Sequence, residues 1–237
     1  MNPRPRPRLF ALLWLVAGLG VVPLSITLLY AALDGIRWLA EYAAGAPLYD
    51  LWGDNFALLT ALAGVICGFC VGVLQQVIIS RAWRVKLAGW WRASTLGGLL
   101  GGLFVWLLIE IFEYHELLWS MDLSPTQYST LHFALPMLAV IMCLATSQAS
   151  KLRRQVSVVG AWLAAHALAV LLPLFCSYLF FEPIDPEAIY TMTLSATCFM
   201  SHFVLLTIFT GVVMRRIASR GAWRQTAKRK SAGIDLA

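Results

Sequence analysis

The sequence predicts an all-α, polytopic membrane bundle of six transmembrane helices, and three observations carry that reading. The first is composition: 60% of the 237 residues are hydrophobic and 13% are charged, against roughly half and a quarter in soluble domains. The second is blocking. Apolar residues gather in six runs, about 9–32, 56–80, 90–112, 130–150, 156–181 and 189–214, and a helix needs about 20 such residues to cross about 30 Å of hydrocarbon. Backbone amides in lipid must be satisfied within the segment, so the runs are helices. They do not alternate, as strands of a membrane barrel would.

The third observation is the order of the charges. Arg4, Arg6 and Arg8 precede the first run, and Asp34, Glu41, Asp50 and Asp54 follow it. Arg81, Arg84, Lys86 and Arg92 surround the next turn; Glu110, Glu113, Glu116 and Asp122 fall in the one after. Lys151, Arg153 and Arg154 come next, then Glu182, Asp185 and Glu187, then a tail with Arg215, Arg216, Arg220, Arg224, Lys228, Arg229 and Lys230. Arg37 and Asp235 are the exceptions. Basic loops resist translocation, so both termini are expected in the cytoplasm of a cell with a bacterial-type inner membrane. That requires an even number of crossings. Residues 1–214 read as the transmembrane unit and 215–237 as a basic cytoplasmic tail. The net charge of +6 is accounted for by topology and by attraction to anionic lipid, and no nucleic-acid partner is expected. The expected partners are the bilayer and either other membrane subunits or a second copy of the chain.

Span one follows three arginines, as a signal peptide would, but its apolar region exceeds the usual 7–15 residues, so it is read as retained. Pro23 in its outer third removes a backbone donor and predicts a bend. The segment IRWLAEYAA after it has helical apolar spacing with Trp38 and Tyr42, which predicts a helix in the outer interface. Span two carries Thr60, Gly64, Gly68, Gly72 and Gln76 at intervals of four; span three answers with Ser94, Gly98 and Gly102, beside Gly97 and Gly101. Small residues let helices approach closely where lipid offers no hydrophobic drive, and the turn between these spans is short. A tight antiparallel hairpin with Gly64, Gly68 and Gly72 facing Gly98 and Gly102 is therefore expected.

Glu110 ends span three near the outer boundary, either as a solvated rim carboxylate or as a proton or cation site. Spans four and five read as a second copy of spans two and three, in parallel orientation: Gln76 and Arg81 match Gln148 and Arg153, and Trp91 matches Trp162. Span six holds Thr191, Ser195, Cys198 and His202 on one stripe, too polar for lipid. His166 and His202 lie about 15–16 Å from the inner ends of their spans at 1.5 Å per residue, at a shared depth.

The five cysteines all lie within spans, which speaks against secretory disulfides. Cys67 and Cys70 form C-x-x-C in apolar surroundings and are read as packing residues. H-E-x-x-H, nucleophile-elbow and Walker signatures are absent, and no aspartate lies within a span, so catalysis on the cytoplasmic side is poorly supported and the outer-loop carboxylates have no spacing that marks a site; no metal site is expected. Three functional readings follow. A transport or channel-like protein would use a polar path between spans five and six, lined by His166, His202, Ser195, Cys198, Thr191 and Glu110. An accessory or scaffold subunit would offer its glycine faces to other helices. A redox subunit would ligate haem b through His166 and His202; no other cofactor is expected.

Overall fold

The computed structural model describes residues 7–39, 42, 56–83, 88–111, 113–122, 125–152, 156–181 and 192–219. They form helices α1 (Pro7–Leu39), α2 (Phe56–Trp83), α3 (Trp90–Trp106), α4 (Tyr114–Ser120), α5 (Pro125–Ala149), α6 (Val156–Phe181) and α7 (Met192–Ser219), with a π-helical turn at Leu107–Ile111 between α3 and α4. No strand occurs among the described residues. The chain is an all-α membrane helix bundle. Arg8–Leu39, Ala57–Ala82 and Trp90–Glu110 are each long and apolar enough to cross a bilayer, and Leu135–Ala149 and Val159–Pro173 are shorter apolar helices among the described residues.

The long helices close into a ring. α1 packs on α2, α2 on α3, α3 on α5, α5 on α6, α6 on α7, and α7 returns to α1. The tightest seam is α2 against α3. A methyl group built on Gly64 would strike the Gly98 carbonyl oxygen, one on Gly98 the Gly64 carbonyl oxygen, one on Gly68 the Ser94 carbonyl oxygen and one on Gly102 that of Thr60. At Gly72 it would lie 2.7 Å from Trp91 Cα. Backbone thus meets backbone along the whole stripe, which only residues without a side chain permit. The second small face of α3 is not spare. Gly97 and Gly101 seat α5, with Leu144 Cα and Val140 Cα each 2.7 Å from where a methyl would stand. One helix with glycines on two sides is therefore clamped between two neighbours.

One end of the ring is filled by a single apolar cluster: Phe10 and Trp14 from α1, Ile78, Ile79 and Ala82 from α2, Trp90 from α3, Ala145, Ala149 and the following Leu152 from α5, Trp162 from α6, and Met214 and Ile217 from α7. All six long helices contribute. This is the end that carries Arg8, Arg81, Arg92, Lys151, Arg215 and Arg216, because each of these lies within a few residues of a cluster member. Glu110, Glu113, Glu116 and Asp122 lie at the opposite end of α3 and in α4.

Local differences from the sequence expectation have physical causes. α1 continues to Leu39, about 50 Å at 1.5 Å per residue, so its last turns project beyond a 30 Å hydrocarbon layer. The expected interfacial helix begins as this extension: the Trp38 and Tyr42 rings stack at 5.1 Å with planes 5° apart, and the rest of the segment lies outside the described residues. Pro23 stays within α1, and Thr27 Oγ1 donates to its carbonyl at 2.8 Å. The third span changes to a π-turn at Leu107–Ile111 before the chain reverses at Glu113, whose φ of 46° is left-handed. At the basic end Gly89 takes φ 74° as the N-cap of α3, a conformation glycine adopts without penalty. α7 runs to Ser219, so Arg215 and Arg216, expected to open the tail, sit on its last turns.

Candidate functional site

The sealed end contains a polar network with a single consistent pattern of donors. Trp90 Nε1 lies 3.1 Å from Gln75 Oε1. Indole N–H can only donate, so the Gln75 atom facing it is the oxygen. Gln148 Nε2 donates to that same oxygen at 2.9 Å and to Ser94 Oγ at 2.9 Å, while Ser94 Oγ donates to the Trp90 carbonyl at 3.0 Å. Gln148 and Ser94 are fully buried. Next to them the Trp90 and Trp162 rings meet edge to face at 5.7 Å, and the His166 ring lies 4.6 Å from that of Trp162.

A motif recurs around the ring. α1, α3 and α6 each bury a tryptophan near the basic end: Trp14, Trp90 and Trp162. Trp14 Nε1 donates to Thr210 Oγ1 of α7 at 3.2 Å, as Trp90 does to Gln75 of α2. Trp162 Nε1 has no acceptor among the described residues, and Gln148 Oε1 has no donor. Of the residues matched between the hairpins from sequence, Gln148 joins Gln75 and Trp90 in this network, while Gln76 and Trp91 lie beside it. Gln76 Oε1 instead accepts from the Trp91 backbone N–H at 3.2 Å.

Above this network a crevice of about 40 Å³ opens between α1, α2 and α7. Its walls are Trp14, Ala17, Gly18 and Val21, then Val71, Leu74, Gln75 and Ile78, then Phe203, Leu206, Thr207 and Thr210. Each helix contributes positions i, i+3, i+4 and i+7, one face over two turns, so the crevice runs about 10 Å along the helices. Its floor residues Trp14 and Ile78 belong to the apolar cluster. Gly18 makes the approach of α1 to α7 possible, because a methyl there would overlap the Thr207 side chain.

Of the six residues singled out from sequence, His166, His202 and Glu110 have described side chains. His166 is buried on α6 at 1% exposure, its Nδ1 2.8 Å from the Trp162 carbonyl. His202 is buried on α7 at 3% exposure, one residue before the crevice-lining Phe203. Glu110 is exposed on the π-turn. Ser195 and Cys198 lie on α7, where the backbone alone is described, and Thr191 lies outside the described residues. Neither His166, His202 nor Glu110 is among the described residues that line the crevice between α1, α2 and α7. Gln75, Thr207, Thr210 and Trp14 were not expected at a site. The i, i+3 pairing of Thr207 and Thr210 was the available signal, at roughly 140° and 80° around α7 from His202. Among the described residues no group of three or more His, Cys, Asp or Glu side chains is placed to hold a metal ion.

Ring, plug and crevice define a helical membrane protein with a crevice between three of its helices. No protein-family model, no curated protein and no solved structure matches the chain.

Proposed function

We propose that the protein moves a small solute across a bacterial-type inner membrane, through the interior of the helix ring, with its basic end in the cytoplasm. The observation that carries this reading is the crevice between α1, α2 and α7, which ends on a plug supplied by all six long helices. An interior path closed at one end is what one state of an alternating pathway requires. The basic residues gathered at the plugged end supply the orientation. In this reading the path runs beside α1, where the crevice lies, in place of the path between α6 and α7 expected from sequence.

The scaffold reading loses its main support, since Gly64, Gly68, Gly72, Gly98 and Gly102 are occupied within the chain and Gly97 and Gly101 hold α5. The test is osmotic swelling of vesicles reconstituted with the purified protein, followed by light scattering across neutral and charged small solutes. At least one solute should enter faster than into protein-free vesicles. Equal rates for every solute would refute the reading.

A further inference from the structure

We propose that α4 (Tyr114–Ser120) is an in-plane membrane anchor: it docks on the lipid leaflet at the acidic end of the bundle and fits headgroups that are zwitterionic, not anionic. This surface lies away from the crevice and has no part in the transport reading.

Depth comes first. Arg92 on α3 and Glu110 on the π-turn that follows it are both exposed. They stand about 27 Å apart at 1.5 Å per residue, close to the roughly 30 Å of hydrocarbon in a bilayer. The two charges therefore mark the two boundaries, and the apolar stretch Trp90–Glu110 fills the layer between them. α4 begins a few residues after Glu110, just past the reversal at Glu113, so it starts at headgroup level. It is held there by packing on α5 and on the π-turn, with Leu118 buried at 2% exposure.

The pattern of its side chains suits that depth. At about 100° per residue, Leu117, Leu118 and Trp119 form one apolar arc of the helix, and Glu116 and Ser120 lie on the other side. The middle of the arc is buried and its flanks are not: Leu117 is 50% exposed and Trp119 75%, and Met121 just past the helix is 47% exposed. At the boundary between headgroups and acyl chains these flanks lie in lipid, where a tryptophan ring is favoured.

Charge selects the lipid. Glu110, Glu113, Glu116 and Asp122 are all exposed around α4, and no lysine or arginine occurs between Arg92 and Lys151. Anionic headgroups would meet like charge here, the reverse of the basic end. Phosphatidylcholine and phosphatidylethanolamine present an ammonium group outermost, which is complementary to these carboxylates.

The experiment uses the full chain carrying 5-fluorotryptophan in phosphatidylcholine nanodiscs, with Trp119→Phe to assign the Trp119 fluorine resonance. Its broadening is measured with a nitroxide on the lipid headgroup and, separately, with a water-borne paramagnetic chelate. The headgroup nitroxide should broaden it at least about twofold more than the chelate, as an apolar flank sunk into the interface requires. A chelate effect as strong or stronger would show α4 standing in water, and broadening by neither would show the face covered by protein; either result overturns the anchor. In phosphatidylglycerol nanodiscs the headgroup effect should fall at least about twofold. An equal or larger effect there overturns the preference for zwitterionic lipid.

Discussion

Gly98 gives the sharpest test of the packing. The neighbours a methyl on Gly98 would meet across the seam are backbone, not flexible side-chain ends: the Gly64 carbonyl and, 3.0 Å from where the methyl would stand, Gly68 Cα. In Gly98→Ala the added methyl can reach ordinary contact only if α2 and α3 part by more than about 1 Å, and a gap of even about 1 Å forfeits a quarter to a half of the dispersion well at each contact it opens. Overpacking of this kind costs about 1–3 kcal/mol. Gly160 on α6 is the control, since a methyl there meets nothing within 4 Å. There the helix propensity gain of about 1 kcal/mol appears unopposed. The two variants should differ by about 3 kcal/mol in opposite directions from the parent. At about 2–4 °C per kcal/mol for a chain of this size, thermal unfolding in mild detergent should separate them by roughly 6–12 °C. Gly98→Ala unfolding at or above the temperature of Gly160→Ala would refute the argument that backbone contact on this seam requires glycine.

Other predictions follow from single features. Trp90→Phe removes the donor to Gln75 and should cost about 1 kcal/mol more than Trp162→Phe, whose indole N–H has no acceptor among the described residues; the unfolding midpoints of the two variants decide this, and a larger loss in Trp162→Phe would contradict the network. Glu113→Gly should stabilise by about 1 kcal/mol, because a side chain at left-handed φ is penalised by about that amount; a destabilised variant would show that the glutamate side chain supports the reversal. The purified protein should lack a Soret band, since His166 and His202 are both buried and neither borders the crevice of about 40 Å³, a space far too small for a haem; a band lost on His202→Ala would restore the haem reading.

Much of the architecture was legible because membrane physics writes it in long runs. The fifth apolar run and α6 cover the same residues, and the meeting of Gly64 with Gly98 follows from intervals of four on two helices joined by a short turn. What the second face of α3 would touch was not legible. Gly97 and Gly101 announce a close neighbour without saying which, and α5 takes the place only because the ring closes there. The crevice was hidden for a different reason. It is built mostly from Gly, Ala, Val, Leu, Ile and Phe, which read as lipid-facing or core in any span, and its polar side chains are largely taken up by bonds to Trp90, Gln148 and two backbone carbonyls. The histidines drew notice because they are rare in spans, yet His166 packs against Trp162.

The central claim is an interior path closed at the basic end, and cysteine accessibility tests it most directly. Val21→Cys places a thiol on the crevice wall, and Ile217→Cys places one in the plug. Labelling by a small water-borne thiol reagent is measured in oriented membranes, over that of the parent chain with its five native cysteines. Val21→Cys should react from the acidic side and not from the basic side, and Ile217→Cys from neither. Reaction of Val21→Cys from the basic side, or from neither side, would contradict the account.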